Sequence, residues 1–217
     1  MRSIFHRGGK FQPLPVDDDD RLDQAVPDGL WVKCPKCGEL IYNRELEANL
    51  MMCPKCDYHH RLGARQRIEL LADEGTFEEW DAEVLTGNPL GFRETSGTYE
   101  SRIAKTRSRS GENESLVTGS LVIDGKPTAI TIADFSFLGA SMGSVFGEKL
   151  ARAAERALEA NLPIITVNAS GGARMHEGLF SLMQMAKTIA TLRLMGEAKL
   201  PHISLLTDPC YGGVSAS

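Results

Sequence analysis

Residues 162–178, "LPIITVNASGGARMHEG", decide the fold. A short β-branched run, Ile164 to Ser170, suits a buried strand, and two glycines then turn the chain. The same arrangement returns in residues 201–217, "PHISLLTDPCYGGVSAS", whose glycine pair lies 41 positions after the first. There the strand-like run His202 to Thr207 enters a Pro-containing turn before Gly212-Gly213. Ahead of the first strand, "GEKLARAAERALEAN" (147–161) is rich in Ala, Glu, Arg and Leu and reads as helix. A longer helix follows Gly171-Gly172. Its Leu179, Leu182, Met183, Ala186, Ile189 and Ala190 recur at i, i+3, i+4 spacing, the stripe an amphipathic helix turns toward a core. Helix, strand, Gly-Gly, then the same again, is an α/β pattern with right-handed crossovers between parallel strands. The chain stops one unit into that pattern, so a fragment of a longer chain or a truncated reading frame is the expectation.

Further upstream the texture differs. "LVTGSLVIDGKPTAITIADF" (116–135) alternates β-formers around Asp124-Gly125, a hairpin signal. "GARQRIELLAD" (63–73) predicts a helix from Ala64 to Asp73, with Gly75 beyond its end. Residues 86–115 are Gly/Ser/Thr-rich and charged, and read as loop with one short helix over Tyr99 to Thr106. The domain reading is therefore a disordered tail over 1–29, with the acidic run Asp17 to Asp20, and a cysteine module over 30–62. A helical and loop connection covers 63–115, and an α/β domain 116–217.

With 217 residues, 42% of them hydrophobic, the chain can bury one core plus an appendage. A net charge of −5 argues against an electrostatic nucleic-acid binder as a whole. No run approaches the roughly 18 to 20 apolar residues that span a bilayer. The first twenty residues have no apolar h-region and soon turn acidic, so a cytoplasmic location is expected.

Four of the five cysteines stand in two Cys-Pro-Lys-Cys pairs, spaced C-x2-C-x15-C-x2-C: Cys34, Cys37, Cys53 and Cys56. Each pair makes a knuckle that aims two thiolates at one point, and four thiolates close a tetrahedral structural zinc site. A short β-hairpin over residues 39–52 would bring the knuckles together, as in a zinc ribbon. His59 and His60 follow the last cysteine, but the metal is already satisfied. Around the ribbon Lys33, Lys36, Arg44, Lys55, Arg61, Arg65 and Arg67 leave a small basic excess, which keeps nucleic-acid contact open as a secondary property.

A Gly-Gly pair after a strand presents backbone N–H groups free of side-chain cover. Where a helix starts at that point, its unsatisfied N–H groups make an anion site. Phosphate would call for G-x-x-x-x-G-K-[ST] or G-x-G-x-x-G, and neither occurs. The other use is an oxyanion hole for a developing enolate. Gly139, Gly143 and Gly147, spaced by four in "GASMGSVFG", fit tight helix packing better than either fingerprint.

Several motifs in order carry a family resemblance: "CPKC…NLMMCPKC", "GASMGSVFGEK", "SGGARMHEG", "SLMQMAKT" and "TDPCYGGVSAS". From Leu30 to Ser217 the chain resembles the carboxyltransferase β subunits of bacterial and plastid acetyl-CoA carboxylases. The resemblance implies a crotonase-like α/β fold with an N-terminal zinc ribbon. It implies transfer of a carboxyl group from carboxybiotin to acetyl-CoA, giving malonyl-CoA, the first committed step of fatty acid synthesis. It also implies an α2β2 assembly with a carboxyltransferase α subunit, and biotin supplied in trans on a biotin carboxyl carrier protein. A biotin carboxylase component would make the whole an ATP-binding complex. By the same resemblance Gly212 and Gly213 are the catalytic backbone donors for the enolate oxygen. Gly171, Gly172 and Arg174 would shape the thioester or pantetheine pocket, and the decarboxylated biotin would be the base, so that no carboxylate dyad is needed. Family members often carry Thr in place of Cys210 and Gln in place of His176, changes that leave the backbone donors alone.

Other readings stay open. Cys210 could be an acyl-transfer nucleophile, with His176 as base and Asp208 nearby. The ribbon could be a nucleic-acid module, with steep salt dependence as its mark. A related biotin-dependent carboxyltransferase could use propionyl-CoA, but those relatives generally fuse both halves and lack the ribbon.

Overall fold

The computed structural model describes residues 30–94 and 97–217. The 1–29 tail lies outside them. The described chain forms two compact units that divide between His60 and Arg61.

In the first unit, β1 (Trp31–Lys33) pairs antiparallel with β2 (Leu40–Tyr42), and α1 (Asn43–Ala48) follows at once. The hairpin thus spans the first knuckle, and a helical turn occupies the middle of the 39–52 stretch where a hairpin was expected. "NRELEA" explains the difference: Arg, Glu, Leu and Ala are strong helix formers, and Leu46 buries completely. Ile41, Leu46, Cys34 and Cys53 form the small core of this unit.

The second unit is built on a five-stranded mixed sheet. Its elements in chain order open with α2 (Ala64–Leu71), β3 (Glu78–Trp80), β4 (Arg93–Glu94), β5 (Gly97–Thr98) and α3 (Tyr99–Ser110). They continue with β6 (Leu116–Ile123), β7 (Lys126–Ala133), α4 (Ser144–Glu159), β8 (Ile164–Ser170), α5 (Leu179–Glu197), β9 (His202–Cys210) and α6 (Gly212–Ala216). The sheet order is β3-β6-β7-β8-β9, antiparallel through β7 and parallel from β7 to β9. The β6–β7 turn sits at Asp124-Gly125, with φ of 49° and 73°, as a two-residue hairpin of this twist requires. α4 and α5 supply the crossovers, as the helix–strand alternation predicts. Helix α3 runs beyond its expected end, to Ser110, where Gly111 in the left-handed region stops it. Strand β9 runs through the Pro-containing stretch to Cys210, with a register irregularity near Ser170.

Ala64, Ile68, Val117, Leu121, Ile130, Ile132 and Val167 pack α2 onto one sheet face. On the other face, α4 buries Ala153, Ala154 and Ala157 against Ala129 and Ile164. Helix α5 reverses the expectation. Its buried residues are Ser181, Gln184, Thr188, Thr191 and Met195, and the whole predicted stripe of Leu179, Leu182, Met183, Ala186, Ile189 and Ala190 is exposed. The reason is close packing. A Cβ on Gly147 of α4 would stand 2.5 Å from Gln184 Cβ, so α5 seats small and polar residues where the helices meet. The spacing identified the helix but assigned its apolar face to the wrong side.

Candidate functional site

Two glycine turns leave the carboxyl ends of β8 and β9 side by side, because Ser170 pairs with Cys210 across the two strands. Their amides differ in use. Gly171 N–H donates to Gly139 O at 2.9 Å, and Gly172 N–H to Ser170 Oγ at 3.0 Å. Gly172 has φ of +113°, a conformation open to glycine and strained for any side chain. Its carbonyl accepts from Met142 N–H, and Met142 O accepts from Arg174 N–H, both at 2.9 Å. This first turn is fastened to the loop after β7, and a 3₁₀ turn, Met175–Glu177, intervenes before α5 begins. Gly212 and Gly213, by contrast, open α6 directly, and their N–H groups donate to no acceptor among the described residues. A Cβ on Gly212 would meet nothing within 4 Å. The two pairs, alike in sequence, are thus one braced turn and one pair of open donors.

Arg174 is the brace. Its side chain and that of Glu114 are both 0% exposed. The guanidinium grips both Glu114 oxygens, one at 3.0 Å from Nη1 and the other from Nη2. It also donates to Thr86 Oγ1 at 2.9 Å, Glu177 Oε1 at 3.2 Å, Ser115 Oγ at 3.0 Å, Ser141 O at 2.6 Å and Ser141 Oγ at 3.1 Å. Glu177 Oε2 in turn accepts from Ser144 N–H and Oγ at 2.6 Å, which caps α4. Burial pushes the Glu114 carboxyl up, but the Arg174 charge and hydrogen bonds, with those from Ser115, outweigh it and hold the group below its ordinary value. Burial alone would lower Arg174, and the carboxylates keep it above its ordinary value instead. Gly143 is glycine because a Cβ there would stand 2.7 Å from Arg174 Nη1. The network ties the segment before β6, the β7–α4 loop and the β8–α5 turn into one rigid body. Glu114, Glu177 and Thr86 were missed from sequence because they lie 60, 3 and 88 positions from Arg174 with no common spacing.

His176 stacks on Tyr99 with ring centroids 4.5 Å apart and tilts onto Phe92 at 5.2 Å. Burial pushes the Tyr99 phenol up to about 12. Cys210 packs with Phe135 against Leu116, Ala133 and Met142, and burial raises its thiol. A raised thiol carries little thiolate at neutral pH, the opposite of an activated nucleophile. Asp208 is 90% exposed in its side chain and pairs with Arg61 at 3.5 Å.

In the first unit the four cysteine sulfurs lie within 4.8 Å of one another. Cys34 Sγ is 3.7 Å from Cys56 Sγ, and Cys37 Sγ is 3.8 Å from Cys53 Sγ. Four ligands at the Zn–S length of about 2.3 Å, set tetrahedrally, stand about 3.8 Å apart, so these thiols fit zinc. The knuckles are copies: Gly38 N–H donates to Cys34 O at 2.9 Å, and Asp57 N–H to Cys53 O at 3.0 Å.

Comparison with known proteins agrees with both units. Residues 59–216 match the carboxyl transferase domain family, and residues 31–56 the acetyl-CoA carboxylase zinc finger domain. The acetyl-coenzyme A carboxylase carboxyl transferase subunit beta of Herpetosiphon aurantiacus is 49% identical over 217 residues, covering 100% of this chain and 71% of that one. The subunit of the same name from Chloroflexus aggregans is 52% identical over 199 residues, 91% of this chain and 65% of that one. This chain therefore spans about two thirds of the length of such relatives. Among solved structures, transcarboxylase 12S with hydrolysed methylmalonyl-coenzyme A bound superposes with a TM-score of 0.61 at 28% identity, over 72% of this chain and 28% of that one. A Pseudomonas malonate decarboxylase hetero-tetramer in complex with malonate gives a TM-score of 0.54 at 27% identity, over 71% and 54%. These neighbours share the crotonase-like α/β architecture that the family resemblance implies, and neither matched domain supports an ATP site on this chain. The chain belongs to the carboxyl transferase family, in the zinc-finger-bearing form of the acetyl-CoA carboxylase β subunits.

Proposed function

We propose that this chain is the acyl-CoA-binding half of a carboxyltransferase, forming malonyl-CoA from acetyl-CoA and carboxybiotin, with the Gly212 and Gly213 amides holding the enolate oxygen. An α-proton of a thioester is weakly acidic, so the reaction needs donors aimed at the oxygen where charge develops. The observation that carries the reading is the pair of open amides at the start of α6 beside a braced turn. Biotin, delivered on its carrier protein, supplies the carboxyl group and, once decarboxylated, the ureido nitrogen that takes the proton. The chain's own residues then orient the thioester and stabilise the oxyanion. That division of labour is supported by the two carboxylates that brace the first turn: Glu114 and Glu177 are consumed by Arg174 and the α4 cap, and are buried. In this reading Gly171, Gly172 and Arg174 shape the pocket wall by holding the β8–α5 turn, without donating to substrate themselves.

The exposed stripe on α5, with Leu179, Leu182, Met183 and Ile189, supports a subunit partner, for which a carboxyltransferase α subunit is the candidate. The carrier protein and biotin carboxylase complete the proposed assembly, in the cytoplasm. Among the described residues no helix is long and apolar enough to cross a membrane.

The test is direct. The full-length subunit is mixed with a carboxyltransferase α subunit, and conversion of malonyl-CoA to acetyl-CoA is followed with free biotin as acceptor. Turnover that requires both subunits is expected; a mixture that never turns over refutes the reading.

A further inference from the structure

Strands β7, β8 and β9 end at a shallow cleft lined by Ala133, Phe135, Ala169, Thr207 and Asp208, and two arginines stand in its wall. Arg61 lies with its guanidinium carbon 4.5 Å from the centroid of the Phe135 ring. Its one ion pair among the described residues, to Asp208 at 3.5 Å, is long, and both side chains are largely exposed. Such a pair holds Arg61 weakly. Arg67 comes from α2, one position before the buried Ile68, and is itself half-buried. Among the described residues its guanidinium makes no hydrogen bond and no ion pair. By contrast Arg65, two positions earlier, is held by both Glu79 and Glu112. Burial pulls Arg67 below the ordinary arginine value with no carboxylate to offset it.

A half-buried guanidinium without a partner costs stability, so its retention needs a reason outside the fold. Its place supplies one. Ligands of open α/β sheets bind outside the carboxyl ends of the strands, where the Gly212–Gly213 turn also lies. Two cations face that opening with a single exposed carboxylate between them. A planar guanidinium fork matches phosphate oxygens, and Arg61 is already held against an aromatic face.

We propose that Arg61 and Arg67 bind the phosphate groups of the nucleotide end of the acyl-CoA, so that the thioester is anchored at a distance from the glycine donors. This rests on the proposed function, which supplies the acyl-CoA. The glycines would act on the thioester oxygen and the arginines on the far end of the same molecule. The two roles then separate kinetically: loss of an arginine raises KM and leaves kcat, whereas loss of a glycine donor lowers kcat.

The experiment compares wild type, Arg67→Met, Arg67→Lys and Arg61→Gln in the full-length subunit assembled with its α partner. Two substrates are used, malonyl-CoA and the malonyl thioester of N-acetylcysteamine, which lacks the nucleotide. Arg67→Met is expected to raise KM for malonyl-CoA by about 10- to 100-fold with kcat within twofold, as for a lost hydrogen bond to a charged group. Its KM for the short thioester stays unchanged, and Arg67→Lys recovers part of the loss. Because the Arg67 guanidinium has no partner among the described residues, the Met variant melts no earlier than wild type. Calorimetric titration with adenosine 3′,5′-bisphosphate reads the site without turnover: affinity falls in Arg67→Met and Arg61→Gln. Equal bisphosphate affinity in wild type and Arg67→Met, or equal losses on both thioesters, overturns the arginine site. A wild-type assembly that turns over neither thioester overturns the functional reading instead, and the titration still decides the arginines.

Discussion

Replacing Gly212 by proline removes one backbone donor and, by the geometry of the turn, almost nothing else. Gly212 is the first residue of α6, a position where proline is favoured because that N–H has no helical acceptor. Tyr211, at φ −90° and ψ 167°, already has the extended conformation that a residue before proline requires. The amide donates to no acceptor among the described residues, and a Cβ at this position finds open space within 4 Å. The variant should therefore fold, with stability unchanged or raised by about 0.4–1 kcal/mol through a less flexible unfolded chain. Its effect falls on chemistry: losing one oxyanion donor costs roughly 10²- to 10³-fold in kcat, or about 2.7–4 kcal/mol of transition-state stabilisation. The proper reference is Gly212→Ala, which keeps the N–H and fits the same open space, so its kcat should stay within a few-fold of wild type. Both variants are assayed by malonyl-CoA consumption with free biotin, alongside thermal melts. A proline variant that folds and turns over as fast as the alanine variant refutes the assignment and moves the donors elsewhere. Gly171 and Gly172 would be a poor second choice, since both amides are already bonded.

The remaining expectations concern the brace, the metal and the thiol. Arg174→Met leaves Glu114 and Glu177 buried without their cation and should destabilise by about 3–5 kcal/mol, measured by denaturant unfolding; pairing it with Glu114→Gln should recover a large part of that loss. Because the Glu114 carboxyl is held below its ordinary value in the folded state, the stabilisation is complete above the ordinary carboxylate range. The gap between wild type and Arg174→Met should therefore close as pH falls through the lowered value, and a gap that widens in acid would contradict the ion-pair account. One zinc per chain is expected by elemental analysis, and Cys37→Ser or a strong chelator should abolish it and unfold the first unit, seen as loss of protection over residues 31–58 in hydrogen exchange. Cys210→Ser should retain kcat within a few-fold, whereas abolished turnover would revive the thiol nucleophile.

Local chemistry made much of this fold legible. The two Cys-Pro-Lys-Cys knuckles, the Asp124-Gly125 hairpin, the alanine-rich α4 and the β-branched β8 each announce themselves within a few residues. What the sequence hid depends on neighbours distant along the chain. The spacing of Leu179, Leu182, Met183 and Ile189 is the same whether a helix turns that stripe inward or outward. Only the approach of Gly147 to Gln184 shows that α4 takes the small, polar side. Residues 39–52 lost their expected hairpin to α1 because the two Cys-x2-Cys spacings constrain the knuckles and not the segment between them. The site was legible in part: the glycine pairs stand out, but nothing in "SGGARMHEG" reveals that Glu114 and Thr86 close around Arg174.

The contrast between the two glycine turns follows from that closure. An oxyanion hole works only if its donors are fixed before charge develops, since reorganisation during the reaction would forfeit the gain. Gly212 and Gly213 carry no side chains to fix them, and α6 is short. Rigidity must come from what they stand beside, and the β8 turn supplies it. Gly171 and Gly172 spend their amides on Gly139 and Ser170, Arg174 bonds the β7–α4 loop to that turn, and Glu177 caps α4 from the same segment. Met142, bonded on both sides of this turn, places its Cε 3.7 Å from where a Gly213 Cβ would be. The first pair's lost donors are thus the reason the second pair can hold still. On this argument a brace mutation gentle enough to preserve folding, such as Ser141→Ala, which deletes one hydroxyl contact to Arg174, should lower kcat more than it raises KM. A change confined to KM would show that the brace shapes the pocket without steadying the donors.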